Sequence, residues 1–181
     1  MQERRFTSTG ITAKRSKRTG SAASTVTISG WALLFNSPSE DMGFIEIISP
    51  TALDGCDFSG CVALFNHDSM YPLAKVSAGN LRLSVDRLGL KFEADLDSSI
   101  SFHNDTIKLI EAGTADQCSF AFYLAEAGAL WFPGDLYAGP GCDDVPPDTD
   151  DVRLLTNIAC ISDVSVVVTP AYSSTSVAVQ S

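Results

Sequence analysis

Two histidines are the whole imidazole stock of this chain. One of them, His67, ends a short apolar run in Leu64-Phe65-Asn66-His67-Asp68. Downstream, Ser119 alternates with large side chains in Gln117-Cys118-Ser119-Phe120-Ala121-Phe122, and Asp163 opens the β-branched run Asp163-Val164-Ser165-Val166-Val167-Val168. A serine hydroxyl is a weak nucleophile until a base takes its proton during attack. An imidazole, with a reference pKa of about 6.5, suits that role near neutral pH. A carboxylate on the far ring nitrogen fixes the tautomer and stabilises the imidazolium that forms. Ser119 as nucleophile, His67 as general base and then acid, and Asp163 as the orienting group would together make a serine hydrolase. Taken singly, each has a plainer reading: a hydrogen-bonded histidine at a strand end, a strand serine, a strand-opening turn acid. Arg153, the sole arginine after Arg87, is the candidate cation for a developing oxyanion.

These three residues need strands to hold them. Alternation places Cys118, Phe120 and Phe122 on one face of a strand over 117–124, and Ser119, Ala121 and Tyr123 on the other. The apolar set can anchor the strand while Ser119 faces a cleft. That reading makes Cys118 a core thiol rather than a nucleophile. Asp163 and Ser165 likewise lie opposite Val164, Val166 and Val168. Further strand signals fall at 25–35, with a bend at Gly30, and at 44–48, 61–65 and 153–161. Two period-two runs, Leu81 to Val85 and Leu90 to Leu96, flank Asp86-Arg87-Leu88-Gly89 and predict a β-hairpin. Ser49-Pro50 reads as the start of a one-turn helix stopping at Gly55. Residues 104–112 read as the one substantial helix, capped by Asn104 or Asp105, with Gly113 just past its end. His103 then falls at the helix start, as a capping or exposed residue. The stretch 126–152, rich in Gly, Pro and Asp, reads as a long acidic surface loop. The expected fold is α+β and mainly β: an antiparallel, barrel-like sheet of about seven strands, with one main helix and short helices packed outside.

With 181 residues, one domain with a sizeable core is the default. The formal charge of -10 is unevenly spread, because Arg4, Arg5, Lys14, Arg15, Lys17 and Arg18 supply six of the 12 Lys and Arg within the first 18 residues. Residues 1–24 therefore read as a basic, flexible arm, with at most a first strand near Phe6, ahead of a catalytic domain over 25–181. A basic arm can bind nucleic acid or an acidic protein surface, but so acidic a body argues against a nucleic-acid-binding domain. No apolar run approaches membrane-spanning length, and the polar N-terminus is unlike a signal peptide. Synthesis in the cytoplasm is the expectation. The five cysteines lack the Cys-x-x-Cys spacing of zinc or redox sites, and the acids of the 126–152 stretch lack the ligand spacing of a calcium loop. No metal and no cofactor is expected.

Six segments, in order, resemble the prohead proteases of tailed bacteriophages: Gly30-Trp31-Ala32-Leu33-Leu34-Phe35-Asn36-Ser37-Pro38-Ser39-Glu40-Asp41; Phe44 through Ala52; Ala63-Leu64-Phe65-Asn66-His67-Asp68; Leu81-Arg82-Leu83 with Gly89-Leu90-Lys91-Phe92-Glu93-Ala94-Asp95-Leu96; Cys118-Ser119-Phe120-Ala121-Phe122; and Asp163-Val164-Ser165-Val166-Val167 with Pro170-Ala171-Tyr172. The resemblance spans roughly residues 25 to 178. It implies a fold similar to the β-barrel serine proteases of herpesviruses, the assemblins, and a serine endopeptidase acting on coat and scaffold precursors, and on itself, inside the assembling prohead in the host cytoplasm. The assemblin likeness further implies a homodimer, and it makes His103 the alternative to Asp163 as third catalytic residue. Ala121 stands where the family usually has glycine, and Asp163 where many members have glutamate. The rival expectation is a structural or scaffold-like capsid component of the same fold that has lost activity.

Overall fold

A computed structural model describes residues 1–7, 11–16 and 25–168; for 6, 7, 15 and 16 it describes the backbone alone. The described residues form a mainly β protein with one α-helix. The twelve strands are β1 (Gln2–Thr7), β2 (Thr12–Ser16), β3 (Thr25–Leu34), β4 (Ile45–Ile48), β5 (Val62–Phe65), β6 (Asp68–Lys75), β7 (Leu81–Val85), β8 (Gly89–Asp97), β9 (Gln117–Leu124), β10 (Ala129–Pro133), β11 (Asp151–Leu155) and β12 (Ile158–Val167). The helix is α1 (Ser101–Glu111).

The strands make three sheets, ordered β1-β9-β12-β5-β6, β10-β11-β4 and β2-β3-β8-β7. None closes into a barrel, and the pairing is not wholly antiparallel: β12 runs parallel to β5, and β11 parallel to β4. The expected barrel-like antiparallel sheet is corrected on both points. The main core lies between the five- and four-stranded sheets. Val26, Ile28, Leu33, Phe92, Ala94 and Leu96 meet Phe120, Phe122, Ile161, Val164 and Val166 there, all buried. Ile45, Ile47, Val152, Leu154 and Tyr137 form a second, smaller apolar cluster at the three-stranded sheet.

The central hairpin is present as β7 and β8, with Asp86 Oδ1 accepting the Leu88 N–H at 2.7 Å in the turn. The helix begins earlier than expected. Asn104 and Asp105 lie inside it, and Ile100 stands at its N-cap without a side-chain hydrogen bond. Its end agrees with expectation: Gly113, at φ +67°, donates to the Ile110 carbonyl at 3.0 Å. The one-turn helix expected after Pro50 is a succession of turns, with Ala52 N–H to the Ser49 carbonyl and Cys56 N–H to the Leu53 carbonyl. The expected loop over 126–152 holds β10, antiparallel to β11. Ala129-Leu130-Trp131-Phe132 supplies β-forming side chains that the Gly- and Pro-rich neighbours obscure.

The segment read as a basic arm contributes an edge strand to each of two sheets, β1 beside β9 and β2 beside β3. Its polar side chains find partners on the body: Glu3 and Arg5 pair with charged groups, and Gln2 and Thr12 bond the hydroxyls of Ser162 and Ser29. The stretches 8–10 and 17–24, and Pro170-Ala171-Tyr172 of the family resemblance, lie outside the described residues.

Candidate functional site

Three neighbouring pieces of the five-stranded sheet carry His67, Ser119 and Asp163. Ser119 sits mid-strand on β9, held from behind by Cys118, Phe120 and Phe122, each fully buried. The Phe120 and Phe122 rings stack with centroids 5.4 Å apart. Burial pushes the Cys118 thiol up from its ordinary value, so this neighbour is a core side chain, on the face the alternation assigns to it.

Asp163 owes its direction to an irregularity. Ile161 is opposite Phe122 and Asp163 opposite Ala121, so two steps on β12 match one step on β9 and Ser162 is an extra residue. Such a bulge changes which face the following side chains take. It lets Ile161 join Val164 and Val166 in the core, while Asp163 and Ser165 turn to the side of Ser119, with Ser165 directly opposite it.

His67 comes from the two-residue connection between β5 and β6. Asn66 and His67 have φ of 52° and 56°, the paired positive values of a type I′ hairpin turn. That conformation is costly for residues other than glycine, and strain of this kind gathers at functional sites. The Asn66 N–H donates to the Val166 carbonyl at 2.9 Å, fastening the turn to β12.

These placements bring the three side chains into one relay. His67 Nδ1 lies 2.5 Å from Asp163 Oδ1, and His67 Nε2 is hydrogen-bonded to Ser119 Oγ. Ser165 Oγ donates to Asp163 Oδ1 at 2.9 Å and lies 3.2 Å from His67 Nδ1. With the ring proton on Nδ1, facing the carboxylate, Nε2 is free of hydrogen and can accept from the serine. This is the hydrogen-bond order that activates a hydroxyl. The relay is buried: Ser119 is 0% and Asp163 4% exposed, and the His67 side chain 3%. Ser119 Oγ has one more partner, the Arg5 backbone carbonyl of β1 at 2.7 Å.

His103 is elsewhere. It is buried in α1, with Nδ1 accepting the Asp97 N–H at 3.3 Å and Nε2 donating to the Pro72 carbonyl at 3.1 Å. It ties the helix to β8 and β6 and is neither a cap nor exposed. Arg153 also has another engagement. Its Nη1 and Nη2 donate to Glu3 at 2.6 and 2.8 Å, and Nη1 also to Glu46 at 3.0 Å. Arg5 joins them, with Nε and Nη2 on Glu46 at 2.6 and 2.9 Å and Nη2 on Glu3 at 2.7 Å. Two acids and two bases thus form one closed group beside the relay's strand. Arg153 holds the Glu3 carboxyl below its ordinary value, whereas burial raises that of Glu46, whose side chain has no exposure. The sequence reading missed this group. Glu46, between Ile45 and Ile47, has the pattern of a solvent-facing strand residue.

Among the described residues no cluster of His, Cys, Asp and Glu is arranged to hold a metal ion, and no helix is long and apolar enough to cross a membrane.

A mainly β scaffold with a buried serine–imidazole–carboxylate relay is the arrangement of a serine hydrolase. Residues 12–181 match the family model of the caudovirus prohead serine proteases, and the chain belongs to that family. No curated protein and no solved structure matches it. Membership implies a protease of capsid maturation, acting on capsid proteins within the assembling prohead in the host cell. The match starts ahead of residue 25, where the catalytic domain was expected to begin, and takes in β2.

Proposed function

We propose that this chain is a serine endopeptidase in which Ser119 attacks the scissile carbonyl, His67 takes its proton and returns it to the leaving amine, and Asp163 holds the imidazole. The substrates in this reading are the coat and scaffold precursors of its own particle, and the chain itself. The observation that carries it is the continuous hydrogen-bond path from Asp163 through His67 to Ser119. Its members lie 52 and 96 residues apart in sequence, and a turn with two positive φ values and a β-bulge bring them together. The bulge also sends Ile161 into the core, and both devices serve the relay.

Asp163 is favoured over His103 because it lies on the imidazole, whereas both His103 nitrogens are taken up by backbone groups of other elements. One methylene shorter than glutamate, Asp163 reaches His67 because β12 lies beside the β5–β6 turn. The rival reading, an inactive capsid component of the same fold, draws on two facts, Ala121 in the place of the family's usual glycine and the complete burial of Ser119.

The test is co-expression with the cognate coat and scaffold proteins, wild type beside Ser119→Ala, with intact-mass spectrometry of all products. Discrete fragments with the wild type and full-length precursors with the variant are expected. The same fragments from both would remove Ser119 as nucleophile. Uncleaved precursors from both, in assembled particles, would favour the structural reading.

A further inference from the structure

A hydroxyl with no exposed surface cannot meet a protein substrate, so this conformation is a closed one. What lies on Ser119 is β1. It is the edge strand of the five-stranded sheet, antiparallel to β9 with Phe6 opposite Ser119, and its Arg5 carbonyl takes a hydrogen bond from Ser119 Oγ. An extended peptide adding to a sheet edge makes this same kind of pairing. The carbonyl at the nucleophile is that of the Arg5–Phe6 peptide bond. A hydroxyl has one proton, and here the Arg5 carbonyl competes with His67 Nε2 for it. β1 also lies upstream of the residues that match the family.

The side chains of β1 are read as closely as its backbone. Arg5 makes a two-pronged contact with Glu46, and Glu3 a two-pronged contact with Arg153. Forked pairing of this kind discriminates by shape as well as by charge. Glu46 on β4 and Arg153 on β11 also contact each other at 3.0 Å, so the receiving pair belongs to the body of the protein and does not depend on β1.

We propose that β1 is seated in the site as a substrate is, and that it restrains the enzyme until it is displaced. The site then takes extended peptides with arginine at the residue whose carbonyl is attacked, read by Glu46, and an acidic residue two positions earlier, read by Arg153. This rests on the reading of Ser119 as the nucleophile and names the peptide class and the restraint of that same site.

The experiment measures acylation of Ser119 by a β-lactone probe, whose ring opens onto the serine oxygen, in the full chain, followed by intact mass. Wild type, Glu3→Gln, Arg5→Gln and Arg4→Gln are compared, with Ser119→Ala as the blank; Arg4→Gln removes a β1 charge outside the four-charge group. Losing one charged hydrogen-bonded contact shifts the seated-to-released balance by about tenfold or more, and Glu3→Gln and Arg5→Gln should acylate faster by that factor. Arg4→Gln should match wild type. A free peptide of sequence Gln-Glu-Arg-Arg-Phe-Thr-Ser should slow acylation of Arg5→Gln, and the same peptide with Glu3→Gln or Arg5→Gln should not. Equal rates in wild type and Glu3→Gln, a conservative change at a partly exposed side chain, would overturn the restraint. A charge-neutralised peptide as effective as the native one would overturn the specificity. No acylation in any folded variant would instead overturn the reading of Ser119 itself.

Discussion

At the scale of the residue, the site is set by how many partners each of its atoms has. Asp163 Oδ1 receives both the His67 ring and the Ser165 hydroxyl, so the carboxylate is oriented before it orients the imidazole. Asp163→Asn keeps the shape of the side chain but presents an amide that can donate where His67 needs an acceptor, which selects the wrong tautomer. A triad that loses its carboxylate in this way slows by about 10⁴-fold in kcat. Asp163→Asn should lower kcat by roughly 10³- to 10⁴-fold with KM little changed, measured on a quenched peptide spanning a mapped cleavage site. A loss below about tenfold would mean that the imidazole is held by something other than Asp163. Each of the three candidate relay residues interrupts a clear pattern, in that His67 ends an apolar run, Ser119 alternates with aromatics and Asp163 opens a valine series, but each alone has a plainer reading, and it is the resemblance of six ordered segments that groups them. Ser165 follows from the same alternation. What no spacing shows is that Asp163 and Ile161, two residues apart, point to opposite faces, because that depends on the extra residue Ser162 meeting β9.

At the scale of the element, the site depends on strands whose close approach leaves no room for change. Gly89 opens β8, and a Cβ added there would stand 2.1 Å from the Leu33 carbonyl oxygen on β3. Backbone cannot give way as a side-chain tip can, so β3 and β8 would have to part where they carry Leu33 and Leu90 into the core. Gly89→Ala should cost about 3 kcal/mol or more, read as a lower urea midpoint with unchanged slope. A loss below about 1 kcal/mol would show that the two strands separate freely at that point. The β7–β8 hairpin itself was legible, because period-two alternation on both sides of a turn has few other readings. β6 was not. Most of Asp68–Lys75 is exposed and Pro72 interrupts it, so neither an apolar face nor an uninterrupted ladder signals a strand. It is a strand because the turn at Asn66 and His67 folds it back on β5. β1 was legible only as a first strand near Phe6 within an arm, since its anchors are Glu3 and Arg5, and a charged strand looks like an arm until its charged partners are known.

At the scale of the whole molecule, the four-charge group is the joint between sheets. Glu3 and Arg5 come from the edge of the five-stranded sheet, and Glu46 and Arg153 from the three-stranded sheet that carries its own apolar cluster. Buried ion pairs are poor sources of net stability but costly to break from one side, so this joint fixes how β1 sits more than it holds the protein folded. Its response to pH has a definite sign. Glu3 is held below its ordinary 4.5, first by its hydrogen bonds to Arg153. A carboxyl depressed on folding contributes stability that is present above 4.5 and lost as the pH falls through its lowered folded value. Glu46 goes the other way: burial raises it, so it accepts a proton earlier on acidification and leaves Glu3 as the remaining anion facing Arg5 and Arg153. The difference in Tm between wild type and Glu3→Gln should therefore be a few degrees at pH 7, for about 1–2 kcal/mol. It should persist while Glu46 takes up its proton, and shrink toward zero only well below pH 4.5, as Glu3 itself is protonated. If the difference stayed constant from pH 7 to about pH 3, the ionisation of Glu3 would not be what holds β1. Acid would then leave the strand seated, and the charge pairing with Arg153 could not be what reads the acidic residue of a peptide.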